Sequence, residues 1–371
     1  MYVYFPHANW SIAKFHGDKL YKAEHEFTRR LLNDHSLRTH HIHEAKLFFV
    51  PTEATATFGN TALIKNAWRL NRLVTTLQSS NAQFNRTWTA NQSAHVFFFA
   101  GDKGACTVPR GPIMMAHWGL SVPWTYMLAP ERTPLKEKVD GACADAHDVI
   151  VPPPQNMRQP RLVSFVNSSR RSPGAAWRCE LYFAGSVSRA PLGSLCVSRN
   201  ASASTMEHCY SQGVRQMVWA HHANRSGFCL RATSSDALLH ESRFCLAPSA
   251  EGFGNRLALA VLAGCVPLII QPGVLQPLHD LLPYRRFSIT LGVEEIPRMH
   301  ERLAAVTEEE HAEYRRQLER YAPAFAWAAV HSNNSTQPSQ PHAQAYEFTR
   351  YALCLRAGVE CESLRPSLLA D

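Results

Sequence analysis

The stretch Glu241–Ile270, ESRFCLAPSAEGFGNRLALAVLAGCVPLII, decides how this chain is read. Phe244-Cys245-Leu246 is one short apolar run and Val266–Ile270 is another; between them lie a loop carrying Gly252 and Gly254 and a helical stretch from about Asn255 to Ala263. Strand, loop, helix and strand in unbroken apolar runs describe a parallel sheet covered on both faces, because a strand buried on two sides does not alternate. A loop of this kind opens at the carboxyl edge of the sheet and aims backbone N–H groups and a helix dipole at an anion. Arg256 stands at the start of the helix. The loop lacks the Lys-Ser/Thr of a Walker motif and does not complete a G-x-G-x-x-G fingerprint.

The same grammar extends in both directions. Upstream, Val3 to Phe5 reads as a strand, and Leu20, Ala23, Phe27 and Leu31 fall at helical spacing. Ala45 to Pro51 (AKLFFVP), His95 to Ala100 (HVFFFA) and Val149 to Val151 read as buried strands, with helical periodicity over Thr61 to Leu77. Leu181 to Ala184 is a strand leading into a loop at Gly185 and Ser186. Downstream, Leu303 to Tyr321 is one charged helix, acidic at its start and basic at its end as the helix dipole prefers. His331 to His342 is a polar loop, and Ala345 to Arg356 is a helix that returns to the first half of the chain. The Pro-rich stretch Pro152 to Arg161 marks a boundary. Three units follow: 1–155, 156–330 and a returning segment 331–371, an α/β architecture of two similar domains built on parallel sheets.

Length and composition agree with this reading. The chain has 371 residues, 45% hydrophobic and only 18% charged, enough to bury two cores and incompatible with a disordered or fibrous protein. Between Arg158 and Arg231 lie ten arginines, no lysine and two acidic residues, while the remainder of the chain is balanced at 28 and 28, so the whole formal charge of +8 sits in that segment. Forked guanidinium contacts to phosphate or carboxylate fit this bias, as does simple preference for Arg over Lys. Nucleic-acid binding is disfavoured, since the basic segment contains three Asn-x-Ser/Thr acceptors and no recognition motif.

Compartment is read from the acceptors and the cysteines. Asn9, Asn85, Asn91, Asn167, Asn200, Asn224, Asn333 and Asn334 all head Asn-x-Ser/Thr triplets. Ten cysteines without a C-x-x-C pair or zinc spacing point to disulfides, with Cys354 and Cys361 as a local pair and Cys265 read as a buried thiol. The longest apolar run, Leu257 to Ile270, is fourteen residues and too short to span a bilayer. These marks lead to the expectation of a Golgi-lumen protein, anchored as a type II membrane protein through a segment absent from this chain.

Taken with its surroundings, the opening stretch resembles the exostosin family of glycosyltransferases. Ala45 to Pro51 is similar to that family's ADLFFVP strand, His95 to Cys106 (HVFFFAGDKGAC) to its Phe-rich strand ending in Asp-x-Gly-Ala-Cys, and Asp148 to Pro153 (DVIVPP) to the end of its first domain. Arg178 to Ser186 (RCELYFAGS) resembles the opening of the second domain, Leu282 to Ile289 a later stretch, and Ala345 to Arg356 the end; the Glu-Gly-Phe-Gly-Asn-Arg-Leu form looks like the plant and green-algal branch. The resemblance implies a GT-B fold of two Rossmann-like domains facing across a cleft, an inverting transfer of sugar from a UDP-sugar donor to a polysaccharide or glycoprotein glycan, and a partner glycosyltransferase subunit as a further expectation. It implies donor binding by Arg178, Gly185, Ser186, Ser249, Glu251, Gly252, Gly254, Asn255 and Arg256. No Asp-x-Asp occurs, so no metal is expected for donor binding and no cofactor beyond the donor itself.

For the base that takes the acceptor proton, three residues are candidates. Asp102 follows a buried strand in a Gly-containing turn, where it can project into a cleft or cap its own turn. His117, ahead of Trp118, and Glu53, after the Phe48-Phe49 strand, are the others. Trp118 can stack on a sugar or pack in a core. One position departs from the family: the carboxylate usual three residues after the signature Arg, suited to ribose hydroxyls, is Leu259 here. Either Glu251 or another group replaces it, or the protein is a catalytically impaired glycan-binding or scaffold relative.

Overall fold

The structure, a computed structural model, describes residues 1–5, 21–52, 63–106, 108, 110–122, 124–127, 136–139, 142–155, 176–187, 210–233, 236–250, 252–327 and 344–369. In the first half the strands are β1 (Tyr2–Val3), β2 (Phe48–Phe49), β3 (His95–Phe99), β4 (Ile113–Ala116), β5 (Gly119–Leu120), β6 (Trp124–Met127), β7 (Lys136–Val139) and β8 (Val149–Ile150). The second half adds β9 (Cys179–Ala184), β10 (Phe228–Arg231), β11 (Ser242–Pro248), β12 (Val266–Ile270), β13 (Val274–Leu275) and β14 (Ile289–Thr290). The helices are α1 (Ala23–Leu31), α2 (Leu63–Ser80), α3 (Ala82–Ala90), α4 (Val214–His222), α5 (Asp236–His240), α6 (Arg256–Ala263), α7 (Met299–Ala304), α8 (Glu308–Tyr321) and α9 (Ala345–Arg356).

Two five-stranded sheets, both wholly parallel, carry the fold: β1-β2-β3-β4-β8 and β10-β9-β11-β12-β14. The Phe-rich run explains the first. Along β3, Val96 and Phe98 enter one core while Phe97 and Phe99 enter another on the opposite face, and all four are buried. In β11, Phe244 and Leu246 face one cluster, and Cys245 and Ala247 leave it for two others. Burial on both faces is what an uninterrupted apolar strand requires. The two facing Rossmann-like sheets are the GT-B architecture.

The sheets are joined rather than loosely hinged. β5 of the first half pairs antiparallel with β13 of the second, and the Leu278 N–H donates to the Ile150 carbonyl across the same seam at 2.7 Å. One core cluster runs from Phe49 and Phe98 through Ala247, Leu257 and Ile269 to Phe325 and Phe348. α9 lies against α1: the Tyr346 ring stands 5.6 Å from that of Phe27, and Tyr346 and Arg350 both bond Asp34, at 2.8 and 3.1 Å. The polar stretch 331–342 lies outside the described residues.

Two expectations need correction. The single helix read over Leu303 to Tyr321 is broken after Ala304, and α8 starts afresh where Thr307 and Glu310 form a reciprocal capping box. Cys265 is no buried thiol: it pairs with Cys245 on the adjoining strand, their Cα atoms 5.8 Å apart on the same face. Cys106–Cys143, Cys179–Cys229 and Cys354–Cys361 are the other three disulfides among the described residues. Among these residues no helix is long and apolar enough to cross a membrane.

Candidate active site

The carboxyl ends of β9 and β11 and the first turns of α4 and α6 converge on one edge of the second sheet. Between β11 and α6 the loop is held by close backbone approach. A Cβ at Gly254 would lie 2.3 Å from the Pro248 carbonyl oxygen, and one at Gly252 would lie 2.0 Å from the Asp102 carbonyl oxygen in the first domain. The Phe253 N–H donates to that same Asp102 oxygen at 2.8 Å, so the loop rests directly on the turn that follows β3. Asn255 precedes α6 without a side-chain cap, leaving the helix entrance to be satisfied by something else.

Two guanidinium groups stand at this edge. Arg215 is 5% exposed; its Nε and Nη2 both donate to the Ser249 carbonyl, at 3.1 and 2.9 Å, and its Nη1 to the Ser186 carbonyl at 3.3 Å. The rings of Phe183 and Tyr210 flank it, 5.3 and 4.8 Å from the guanidinium carbon. Arg256 lies close enough that its charge is among the causes, after burial, that lower the Arg215 pKa; Arg256 is itself lowered by burial, against the opposing influence of Tyr182 and Tyr210. Neither arginine meets a carboxylate among the described residues. Each sits in the first turn of a helix, where the dipole disfavours a cation. Beside them the Ser249 Oγ is buried without a hydrogen-bond partner among the described residues. Two unneutralised cations, two helix entrances and a spare hydroxyl are what an oxyanion with several charges would satisfy.

The turn ahead of α4 is shaped for this. Ser211 and Gln212 hold left-handed φ values of 62° and 51° before Gly213, and the Ser211 Oγ donates to the same Ser249 carbonyl at 2.6 Å. A left-handed conformation costs roughly 1–2 kcal/mol for each non-glycine residue. Here it sets the direction in which α4 delivers Arg215.

Gly185, Ser186, Ser249, Gly252, Gly254, Asn255 and Arg256 all lie at this carboxyl edge. Arg178 does not, and that expectation is corrected: it precedes β9, so it stands at the amino end of the sheet, about 20 Å away by strand rise. There it is 61% exposed in its side chain and paired with Glu241 at 3.0 Å. Glu251 and Glu53 fall outside the described residues. Leu259 packs against the apolar cluster of Tyr182, Cys245 and Cys265. Arg215 was not singled out in the sequence. The available signal was Ser-Gln-Gly ahead of an apolar run, a helix start with a cation in its first turn.

Across the cleft, the Tyr21 hydroxyl donates to the Asp102 Oδ1 at 2.9 Å, and the Cys106–Cys143 disulfide pins the same turn. His117 follows β4 and is buried between Phe98 and Phe253, with ring centroids 5.8 and 5.0 Å away. Its Nδ1 donates to the Val151 carbonyl at 2.9 Å, and burial pushes its pKa down to about 4. Trp118 is 1% exposed and packs with the Cys106 and Cys143 sulfurs, a core residue rather than an open platform.

Two facing parallel-sheet domains, with two arginines at helix entrances on one sheet edge, define the class of two-domain GT-B proteins. Residues 1–306 match the exostosin GT47 domain, and the chain belongs to that family. Among its relatives, a probable glycosyltransferase of Arabidopsis thaliana is 32% identical over 113 residues, 28% of this chain and 22% of that protein. A probable beta-1,4-xylosyltransferase of the same plant is 23% identical over 306 residues, 76% of this chain and 65% of that protein. A probable glucuronoxylan glucuronosyltransferase, also of Arabidopsis, is 23% identical over 321 residues, 84% and 63% respectively. The chain spans less than two thirds of the length of these relatives.

Proposed function

We propose that this protein is an inverting glycosyltransferase that moves a sugar from a UDP-sugar to a polysaccharide or glycoprotein glycan. The observation that carries the reading is the pair Arg215 and Arg256, two cations at two helix entrances that meet no carboxylate among the described residues. Bound there, the UDP diphosphate meets the positive charge of Arg215, whose N–H groups are largely engaged by the Ser249 and Ser186 carbonyls and the Tyr210 hydroxyl, and contacts from Arg256, the Ser249 hydroxyl and the first-turn N–H groups of α6. In the transfer, an acceptor hydroxyl oxygen attacks the anomeric carbon from the face opposite the leaving group. Its proton passes to the Asp102 carboxylate, which the Tyr21 hydroxyl orients, while the bond from the anomeric carbon to the β-phosphate oxygen breaks and the electron pair leaves with UDP. The charge that grows on that oxygen is met by the arginines, so donor binding by this route needs no metal ion.

The eight acceptor sequons and the four disulfides among the described residues support work in the secretory lumen, in the Golgi. The names of the xylosyl- and glucuronosyltransferase relatives favour a wall polysaccharide acceptor. Leu259 supports a second reading, a glycan-binding or scaffold relative, because its side chain offers no acceptor to ribose hydroxyls. The two part on one experiment: UDP release scored over a panel of UDP-sugars with xylan and glycan acceptors. The enzyme releases UDP in an acceptor-dependent way, and Asp102→Asn abolishes release while UDP still binds. Glycan retention with no release from any donor instead selects the second reading.

A further inference from the structure

The far end of α4 carries chemistry that the donor site does not use. Arg215 stands in the first turn of this helix and His222 closes it, about 10 Å further along by helical rise. His222 is 1% exposed and packs against the rings of Phe228 and His300, whose centres stand 5.3 and 5.6 Å from its own. Its Nε2 lies 2.6 Å from the Ile296 carbonyl oxygen, which can only accept, so the ring hydrogen is on Nε2 and Nδ1 is a bare lone pair. His300, in the first turn of α7, sets its Nε2 3.9 Å from the Glu301 carboxylate, which favours the same tautomer. The Nδ1 atoms of both rings are buried and meet no hydrogen-bond partner among the described residues. Burial also disfavours protonation of His222, with the charges of Arg225, His300 and His221 acting in the same direction and the bond to Ile296 against it. Two adjoining imidazoles, each with one nitrogen turned to a carbonyl or carboxylate and the other bare, are arranged as histidine is when it ligates a metal ion.

We propose that His222 and His300 bind a zinc ion through their Nδ1 atoms, tying the end of α4 to the start of α7. Imidazole nitrogen is the ligand that zinc and its first-row neighbours accept most readily from a neutral side chain. The ring spacing fits. An ion 2.0–2.1 Å from each nitrogen lies roughly 3.2 Å from each ring centre, and a tetrahedral to trigonal angle at the ion then sets the centres about 5.2–5.5 Å apart; the two rings stand at 5.6 Å. Among the described residues no third His, Cys, Asp or Glu joins them, so water completes the coordination and the ion is exchangeable. His300 keeps 27% of its side chain exposed, which puts the pair just beneath the surface. The carbonyl end of α4 favours a cation there, while the charge of Arg225 opposes one and makes the site weaker than a closed structural zinc centre. The ion stands at the opposite end of α4 from Arg215, so it serves the frame that holds this helix, and the inference does not rest on the diphosphate assignment made above.

The test titrates zinc chloride into the full chain, stripped with a chelator beforehand, by calorimetry. His41 and His43, exposed and with ring centres 5.8 Å apart, are a second pair that zinc can find at the surface, so every protein in the comparison carries His41→Ala and His43→Ala. On that background a saturable zinc site is expected, with a melting temperature that rises as the site fills. Removing either imidazole, by His300→Ala or by His222→Gln, is expected to weaken the site at least 10-fold and to abolish the rise. His300 is partly exposed, so its variant remains informative should the change at buried His222 disturb folding. Cobalt(II) in place of zinc is expected to give the intense visible absorption of a four-coordinate ion in the parent and to lose it in His300→Ala. The absence of a saturable zinc site in the parent, or a site whose affinity His300→Ala leaves unchanged, overturns the proposal.

Discussion

Replacing Gly252 by alanine puts a methyl carbon where there is no space: 2.0 Å from the Asp102 carbonyl oxygen, 2.5 Å from its carbon and 3.1 Å from the Lys103 nitrogen. All three neighbours are backbone, and the turn they belong to is tied by the Cys106–Cys143 disulfide, so no flexible side chain can yield. The loop must withdraw by more than an ångström for a normal contact, and the 2.8 Å bond from the Phe253 N–H to Asp102 is lost with it. Overpacking costs about 1–3 kcal/mol and the hydrogen bond about 0.5–1.5 kcal/mol, so the variant is expected to lose roughly 2–4 kcal/mol of stability. Arg256 and the entrance of α6 move with the loop, so UDP affinity falls as well. Chemical denaturation gives the first quantity and calorimetry the second. A variant within about 0.5 kcal/mol of wild type with unaltered UDP affinity refutes the claim that this loop is positioned by the first domain.

Three further outcomes follow from the same geometry. Gly119→Ala places a Cβ 2.3 Å from the Leu275 carbonyl oxygen and splits the interdomain ribbon of β5 and β13; limited proteolysis is expected to cut the variant between its two halves under conditions that leave wild type whole, and equal resistance argues against the ribbon. Burial pushes His95, His117 and His311 each down to about 4 from 6.5, so the unfolded chain takes up protons that the folded one refuses. Their contribution is present above pH 6.5 and is lost as pH falls toward 4; the melting temperature is expected to drop steadily across that window, and a flat profile contradicts it. Asn85, Asn91 and Asn224 head exposed sequons, and protein secreted from a eukaryotic host should carry N-glycans there, seen as deamidation at these sites after enzymatic release; unmodified peptides at all three contradict a luminal origin.

Much of the fold was legible because its strands are long enough to read without partners. β3 and β12 are uninterrupted apolar runs, and Gly264 with Pro267 punctuates the passage from α6 into its strand. β10, an edge strand only partly buried, and β14, two residues long, carry too little pattern to be distinguished from loop. The site was half legible for a related reason. The residues that precede and follow a parallel strand lie at opposite edges of the sheet, so Arg178 and Gly185 could never share a site, although both belong to one run of sequence. Arg215 is hard to read from sequence because α4 follows a turn with two left-handed non-glycine residues, which no propensity announces. Cys265 reads as a thiol in the sequence because its partner, twenty residues earlier, is brought near only by the pairing of β11 with β12. Tertiary register, not local pattern, decided each of these.

The central claim is that Arg215 and Arg256, which meet no carboxylate among the described residues, form an anion site built for UDP. Its most direct measurement is the stability and UDP affinity of Arg256→Ala beside wild type. Removing one of two crowded cations relieves repulsion in the empty protein, so the variant is expected to melt no lower than wild type without nucleotide. It is expected to bind UDP roughly 10- to 100-fold more weakly, the scale of charge-assisted hydrogen bonds lost to an anion. A variant that is clearly destabilised without nucleotide yet binds UDP as wild type does would show that Arg256 serves the fold rather than the donor.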